Sequence, residues 1–242
     1  MDAEYAAAYP NLYRNHWWWR VREHILVRKI RRMLDGADSV RILDVGCGAA
    51  LFFDALQQFG HVEGVESDAA AVANSGRWRS RITVGELEET GESFDLILFL
   101  DVLEHLEQPH ELLRRAAQRL TPNGQILVTV PAFNWLWTAH DDINHHVWRY
   151  TASQMRTTIE RAGLVAVETS YMFQSLVVPK LLVRAGEALT SRPPRVPGIP
   201  PAAVNEAVQA WYRTEYALVG WLPFGGSVLA IAALSRGGAS TR

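Results

Sequence analysis

Between Val40 and Val130 the chain alternates short apolar runs with stretches whose apolar residues recur every three or four positions. VRILDV (40–45), HVEGVE (61–66), RITVG (81–85), FDLILFL (94–100) and QILVTV (125–130) have strand length. FDLILFL is continuously apolar, as expected of a strand covered on both faces. Helical spacing separates them: AALFFDALQQFG after the first, an alanine-rich stretch after the second, and PHELLRRAAQRL before the last, closed by the turn signal TPNG. Alternation of this kind predicts an α/β fold, a doubly wound, seven-stranded, mostly parallel sheet with helices on both faces.

Outside that rhythm the pattern changes three times. Residues 14–32 carry seven basic residues against the single acid Glu23, with Trp17, Trp18 and Trp19 among them. Trp18, Val21, Ile25, Leu26, Ile30 and Met33 keep a helical period, so this is an amphipathic helix with a solvated basic face. A basic aromatic helix is also compatible with a membrane surface. After Pro131, PAFNWLWTAHDDINHHVWRY has no strand pattern. TASQMRTTIERAG, opened by a threonine cap and closed by Gly163, restores a helix, and LVAVETSYMF reads as a further strand. Two helical stretches then flank the extended SRPPRVPGIPP, and GGSVLAIAAL reads as the last strand. The expected divisions are an N-terminal helical lid (1–36), a cofactor-binding core (37–172), a helical insertion capping the substrate side (173–222), and the last strand and tail (223–242). Residues 216–234 carry no charge, but Pro223, Gly225 and Gly226 break them into helix end, turn and strand rather than a membrane span.

Composition narrows the function. With 242 residues and 48% hydrophobic content, a sizeable core is available. A net charge of −2 gives no overall field for nucleic acid. Cys47 is the only cysteine, which excludes a disulfide framework and a cysteine-rich zinc site. The start, MDAEYAAAYP, lacks the basic region and apolar run of a signal peptide, so a cytoplasmic location, with peripheral membrane contact open, is the default expectation.

The chemistry begins at ILDVGCGAALF. A strand delivers Asp44; Gly46 and Gly48 then turn the chain into a helix, whose exposed amides favour a negatively polarised group. Glu66 closes the next strand, where a carboxylate can accept hydrogen bonds from a ribose diol. Leu51 occupies the third glycine position of a dinucleotide fingerprint, so a dinucleotide fits poorly.

The residues LDVGCG, VEGVESD and FDLILFLDVLEHLEQP resemble the class I S-adenosylmethionine-dependent methyltransferases over residues 40–172. DVLEHLEQPHELL is similar to the small-molecule branch, such as the ubiquinone-biosynthesis O-methyltransferases. HWW and HDDINHHVWRYT resemble a bacterial subgroup of lipid and polysaccharide tailoring enzymes. The resemblance implies S-adenosyl-L-methionine as cofactor and S-adenosyl-L-homocysteine as product. It implies that Asp44 receives the methionine amino group, Gly46 and Gly48 line the methionine and ribose, Glu66 holds the ribose hydroxyls, and Ser67 and Asp68 lie beside the adenosine. Glu86 falls near the adenine, and Asp101 and Val102 near the sulfonium. Cys47 reads as a small turn residue.

A methyltransferase of this kind must align a nucleophile with the C–S bond and exclude water; a hydroxyl nucleophile must also lose its proton. HDDINHHVWRY (140–150) follows the strand ending at Val130, where ligands of open α/β sheets bind. It can supply a general base, His140 or His145, with Asp141 orienting an imidazole; it can be a satisfied polar loop; or it can bind a metal, for which its spacing matches no familiar ligand pattern. Metal ligands are therefore not assigned. Arg149 and Tyr150 suggest an anion or hydroxyl anchor, or else an ion pair and a packed ring. The expected function is methyl transfer to a small, apolar or lipid-like acceptor, at a hydroxyl with a histidine base. The alternatives are an N-methyltransferase relying on positioning, and an inactive cofactor-binding protein. Oligomeric state, monomer or homodimer, stays open.

Overall fold

The computed structural model describes residues 3–37, 39–87, 92–189 and 196–235. Seven strands form one sheet: β1 (Val40–Val45), β2 (Gly60–Glu66), β3 (Ile82–Val84), β4 (Phe94–Leu100), β5 (Leu120–Pro131), β6 (Leu164–Met172) and β7 (Ser227–Leu234). Their order is β3-β2-β1-β4-β5-β7-β6. The first five strands are parallel, and β7 runs antiparallel to both β5 and β6. The mostly parallel, doubly wound sheet expected from the alternation is therefore present. The strand order reverses between β1 and β4, which opens a crevice at their carboxyl ends.

Two apolar clusters cover the sheet. One packs Ile42, Leu96, Leu98 and Leu127 against the N-terminal helices; the other packs Leu43, Ile97, Phe99 and Val128 against the helices of the opposite face. Alternate residues of β1 and β4 thus point to opposite faces, and both faces are apolar.

Helices differ from expectation in detail. The N-terminal segment is two helices, α1 (Ala3–Asn15) and α2 (Trp17–Met33), parted at His16, whose ring nitrogen accepts from the Trp18 amide as an N-cap. Asn205 of α9 (Ala202–Val219) staples that break, accepting from the Trp17 amide and donating to the Asn15 carbonyl, both at 2.8 Å. Trp17 stacks on Tyr212 and Trp18 on Phe173, while Trp19 is buried, so all three tryptophans pack. The apolar run after β1 is helical only over Phe53–Leu56 (α3), because the turn before it uses up its first residues. TPNG, expected as a turn, lies inside β5, and the pairing with β4 shifts register there.

Four helices follow in the parallel part: α4 (Ala69–Ala73), α5 (Pro109–Ala117), the short α6 (Ala139–Ile143) and α7 (Ala152–Arg161). The insertion carries α8 (Val177–Leu189) and α9; residues 190–195 of its extended loop and 236–242 of the tail lie outside the described residues. Residues 216–234 form the end of α9, a turn and β7. Among the described residues no helix is long and apolar enough to cross a membrane.

Candidate functional site

The turn after β1 is built around two close approaches. Gly46 and Gly48 have φ of +74° and +55°, and a side chain at Gly46 would meet Val102 at 2.7 Å. The turn therefore lies directly on Val102, two residues past the end of β4. Ala50 also takes a left-handed φ of +56°, a conformation that costs an alanine on the order of 1 kcal/mol. The absent third glycine is thus met by strain at the neighbouring position. Glu66, at the end of β2, accepts from the Gly48 amide at 2.8 Å and the Asp68 amide at 2.9 Å, so it ties both loops at the strand ends. Ser67 Oγ is within 3.5 Å of the same carboxylate. Glu86 is exposed, one residue past Gly85, whose amide donates to the Glu66 carbonyl.

Asp44 is buried, and burial pushes its carboxyl up to about 7; the Arg22 guanidinium opposes this and Glu66 adds to it. Cys47 is pushed well above the ordinary thiol range by burial and by Asp44 and Glu66, which makes it inert and consistent with a turn residue.

Asp101 follows β4 with φ +61°. Arg22 of α2 bridges it at 2.8 Å and donates to Thr129 Oγ1 at 2.8 Å, and Thr129 donates back to Asp101 at 3.1 Å. A strained, non-glycine residue at a strand end is thus held by two residues, Arg22 and Thr129, rather than left in a free loop. The sequence pattern counted Arg22 only as one of seven basic residues, and did not signal Thr129.

The loop after β5 is organised by Asp141, which is fully buried. It accepts from His146 Nδ1 at 2.8 Å, Arg149 Nε at 2.8 Å and the Thr138 amide at 2.9 Å. Burial alone would raise its carboxyl, yet the His146 and Arg149 hydrogen bonds and the Arg149 charge hold it well below the usual range. The imidazole oriented by Asp141 is thus His146, not His140 or His145. Arg149 also donates to the Ala132 carbonyl at 2.9 Å. Tyr150 is buried, and its hydroxyl donates to the Leu103 carbonyl at 3.2 Å. These are the ion pair and packed ring that the sequence held open beside the anchor role.

His140 Nε2 accepts from Asn144 at 3.2 Å, and burial followed by the Lys180 charge pushes it down to about 4. His145 is exposed with φ +57°, and its carbonyl lies 3.4 Å from His105 Nδ1.

Glu104 adds a feature not assigned from sequence. It is fully buried, neither carboxylate oxygen has a hydrogen-bond partner, and burial and then Asp101 hold its carboxyl well above the usual range. One ligand atom each of Glu104, His105 and His146 lies within 4.8 Å of the others, so these three, if drawn together, could hold a divalent cation.

Residues 18–169 match the family model described as methyltransferase domain. The chain belongs to this family. Among curated relatives, the ubiquinone biosynthesis O-methyltransferase of Bradyrhizobium diazoefficiens is 32% identical over 113 residues, 43% of this chain and 45% of the relative. The trans-aconitate 2-methyltransferase of Deinococcus radiodurans is 28% identical over 63% of this methyltransferase-family chain and 58% of the relative. The aligned part thus spans about half the length of these relatives. Among solved structures, magnesium protoporphyrin IX methyltransferase of Synechocystis PCC 6803, with bound S-adenosylhomocysteine, superposes with TM-score 0.54 at 14% identity, over 90% of this chain and 85% of that one. A chain of the complex between the Haloferax volcanii Trm112 methyltransferase activator and a methyltransferase reaches 0.58 at 17% identity, over 95% and 94%. These two show the shared fold. The turn of this methyltransferase-family chain fits S-adenosylmethionine. A buried carboxylate whose charge Arg22 offsets only in part stands at β1, a second carboxylate is fixed by the loop amides at β2, and the glycine turn lies flush on the residues after β4.

Proposed function

We propose that the chain is an S-adenosylmethionine-dependent methyltransferase that methylates a hydroxyl of a small, apolar acceptor. The O-methyltransferase relatives support the hydroxyl. The observation that carries the cofactor assignment is Asp44, buried at the end of β1 beside the glycine turn and pushed up to about 7 by burial, which the Arg22 charge offsets only in part. Bound S-adenosylmethionine supplies an electrophilic methyl group on a positively charged sulfur. Asp44 would hold the ammonium of its amino-acid part, and Glu66, with Gly48 and Asp68 beside it, the ribose hydroxyls; Ser67 and Glu86 would flank the nucleoside, and Val102 and Asp101 would meet the sulfonium side.

The residues of the chain then have three tasks. α1 and α2 cover the crevice and exclude water, anchored through Arg22 to Asp101. The 132–150 loop, rigid about Asp141, fixes the wall that orients the acceptor. A base removes the hydroxyl proton. A histidine was the expectation for that base, but His140, at about 4, is a weak base at neutral pH, and the imidazole that Asp141 orients is His146. The alternative nucleophile, an amine, needs positioning alone.

Titration calorimetry with S-adenosylhomocysteine checks the cofactor: micromolar binding in the wild type and its loss in Asp44→Asn are expected, and no heat in the wild type refutes the assignment. Radiolabelled methyl transfer to paired phenol and aniline acceptors of equal shape separates the nucleophiles, since turnover of the aniline alone would refute O-methylation.

A further inference from the structure

The helical cap carries a group that the site described above leaves unused. The chain has 22 arginines and only two lysines, Lys29 and Lys180. Lys29 is committed: its Nζ donates to both Glu168 oxygens, at 2.7 and 2.9 Å. Lys180 is half-buried on α8. Positions 180, 184 and 187 share one helix face. Arg184 donates to the Trp135 carbonyl, and Glu187 accepts from the Ala139 amide at 3.1 Å. This face is therefore seated on the segment leading into the Asp141 loop, and Lys180 is its residue nearest the end of β6.

The charges nearest Lys180 all lie outside its own helix, in the 132–150 loop with its helix α6 and just after β4. Arg149 and Asp141 belong to the loop, Asp101 follows β4, and His140 of α6 feels the lysine in return. On its own helix, Arg184 and Glu187 are occupied by the loop backbone. Asp101 is taken by Arg22 and Thr129, and Asp141 by His146 and Arg149. Among the described residues no hydrogen bond or ion pair engages Lys180 Nζ. A flexible amine thus enters a wall whose carboxylates are already committed.

We propose that Lys180 is the base of the methyl transfer, taking the acceptor's hydroxyl proton from the cap side of the cleft. This rests on the O-methylation proposed above. The neutral amine of Lys180 accepts the proton and becomes an ammonium. The acceptor oxygen forms its bond to the methyl carbon while the carbon–sulfur bond breaks with its electron pair left on sulfur, giving the methyl ether and S-adenosylhomocysteine. Solvent then takes the proton from the ammonium. Burial, then Arg149, push Lys180 down to about 7, so the neutral amine is available near neutral pH, a better match for a base than His140 at about 4. An arginine cannot take this role because its guanidinium does not deprotonate. That accounts for a lysine here in a chain that otherwise uses arginine.

The two lysines make the test direct. Trace acetylation of the full chain with acetic anhydride in saturating S-adenosylhomocysteine, read by peptide mass spectrometry from pH 5 to 11, should show Lys180 half-titrating at about 7, against about 10.4 for an ordinary lysine. Half-titration near 10 overturns the proposal. With the uncharged phenol of the acceptor pair above as probe, Lys180→Arg and Lys180→Met should each lose about 100-fold or more in kcat, with S-adenosylhomocysteine affinity and Tm kept, and added methylamine should restore part of the Lys180→Met rate. Lys180→Arg turning over like the wild type overturns the proposal. Wild-type protein that fails to bind S-adenosylhomocysteine counts against the cofactor assignment instead, while the acetylation profile still judges Lys180.

Discussion

Asp44 and Asp141 are both buried carboxylates at the carboxyl-end side of one sheet, and their acidities move in opposite directions. Asp44 is pushed up to about 7 because burial is offset only in part by Arg22. Asp141 is held well below the usual range because His146, Arg149 and the Thr138 amide all serve it. A buried charge is costly unless hydrogen-bonded and paired. The loop after β5 meets that cost with its own side chains, whereas at the turn after β1 Arg22 meets it only in part. Under the proposed function the difference separates a binding position from a scaffold: the incompletely offset acid is where the cofactor's ammonium would dock, and the saturated one holds a wall still.

The largest effect should come from the saturated side. Asp141→Ala leaves Arg149 buried without its partner and should cost about 3–5 kcal/mol, lowering Tm by roughly 10 °C in a chain of this size. An unchanged Tm in thermal unfolding would remove the loop's central support. The sign of its pH dependence follows from a depressed acid. The stabilisation is present above the unfolded carboxyl value of about 3.9 and fades as pH falls below it. Next, Asp44→Asn should weaken S-adenosylhomocysteine about 100-fold, the loss of about 3 kcal/mol typical of a buried charge pair deprived of one partner, with no loss of Tm. A fall in Tm to match Asp141→Ala would erase the contrast.

Arg22→Met should have a smaller effect than either. It frees Asp101 and should cost about 2 kcal/mol, the range for a hydrogen bond to a charged group, read as faster hydrogen exchange along α2. Unchanged exchange would detach the lid from β4. The smallest effect is one of pH. Asp44 binds an ammonium only when ionised, so cofactor affinity should be nearly full at pH 8, about half at pH 7 and about tenfold lower at pH 6. Calorimetry showing flat affinity over that range would place the ammonium elsewhere.

The proposed cofactor side was legible as a set of strand ends and turns because its signals are local. Asp44, Gly46, Gly48 and Glu66 sit at strand ends and turns that hydrophobic periodicity alone locates. Even there, the close approach of Gly46 to Val102 and the strain at Ala50 appear only in three dimensions. The acceptor side was legible as a loop but not as a network. His140, His145 and His146 are equivalent as letters, and only the packing of Arg149 and Thr138 around Asp141 selects His146 as its partner. Lys180 lies 39 positions after Asp141 in an insertion with no motif around it, so its place beside the loop depends on how α8 packs.

Short-range order, then, was written along the chain: alternating apolar runs and helical periods dictate a sheet wrapped by helices, and glycines with strand-end acids mark one ligand position, because these depend on neighbours within a few residues. Which acid is only partly offset by a cation, which histidine is held and which amine is left over were settled when α2, α8 and the loop closed over the strand ends. Charge, burial and hydrogen-bond supply are properties of assembled surroundings, and a residue's neighbours in space are not those beside it in the chain.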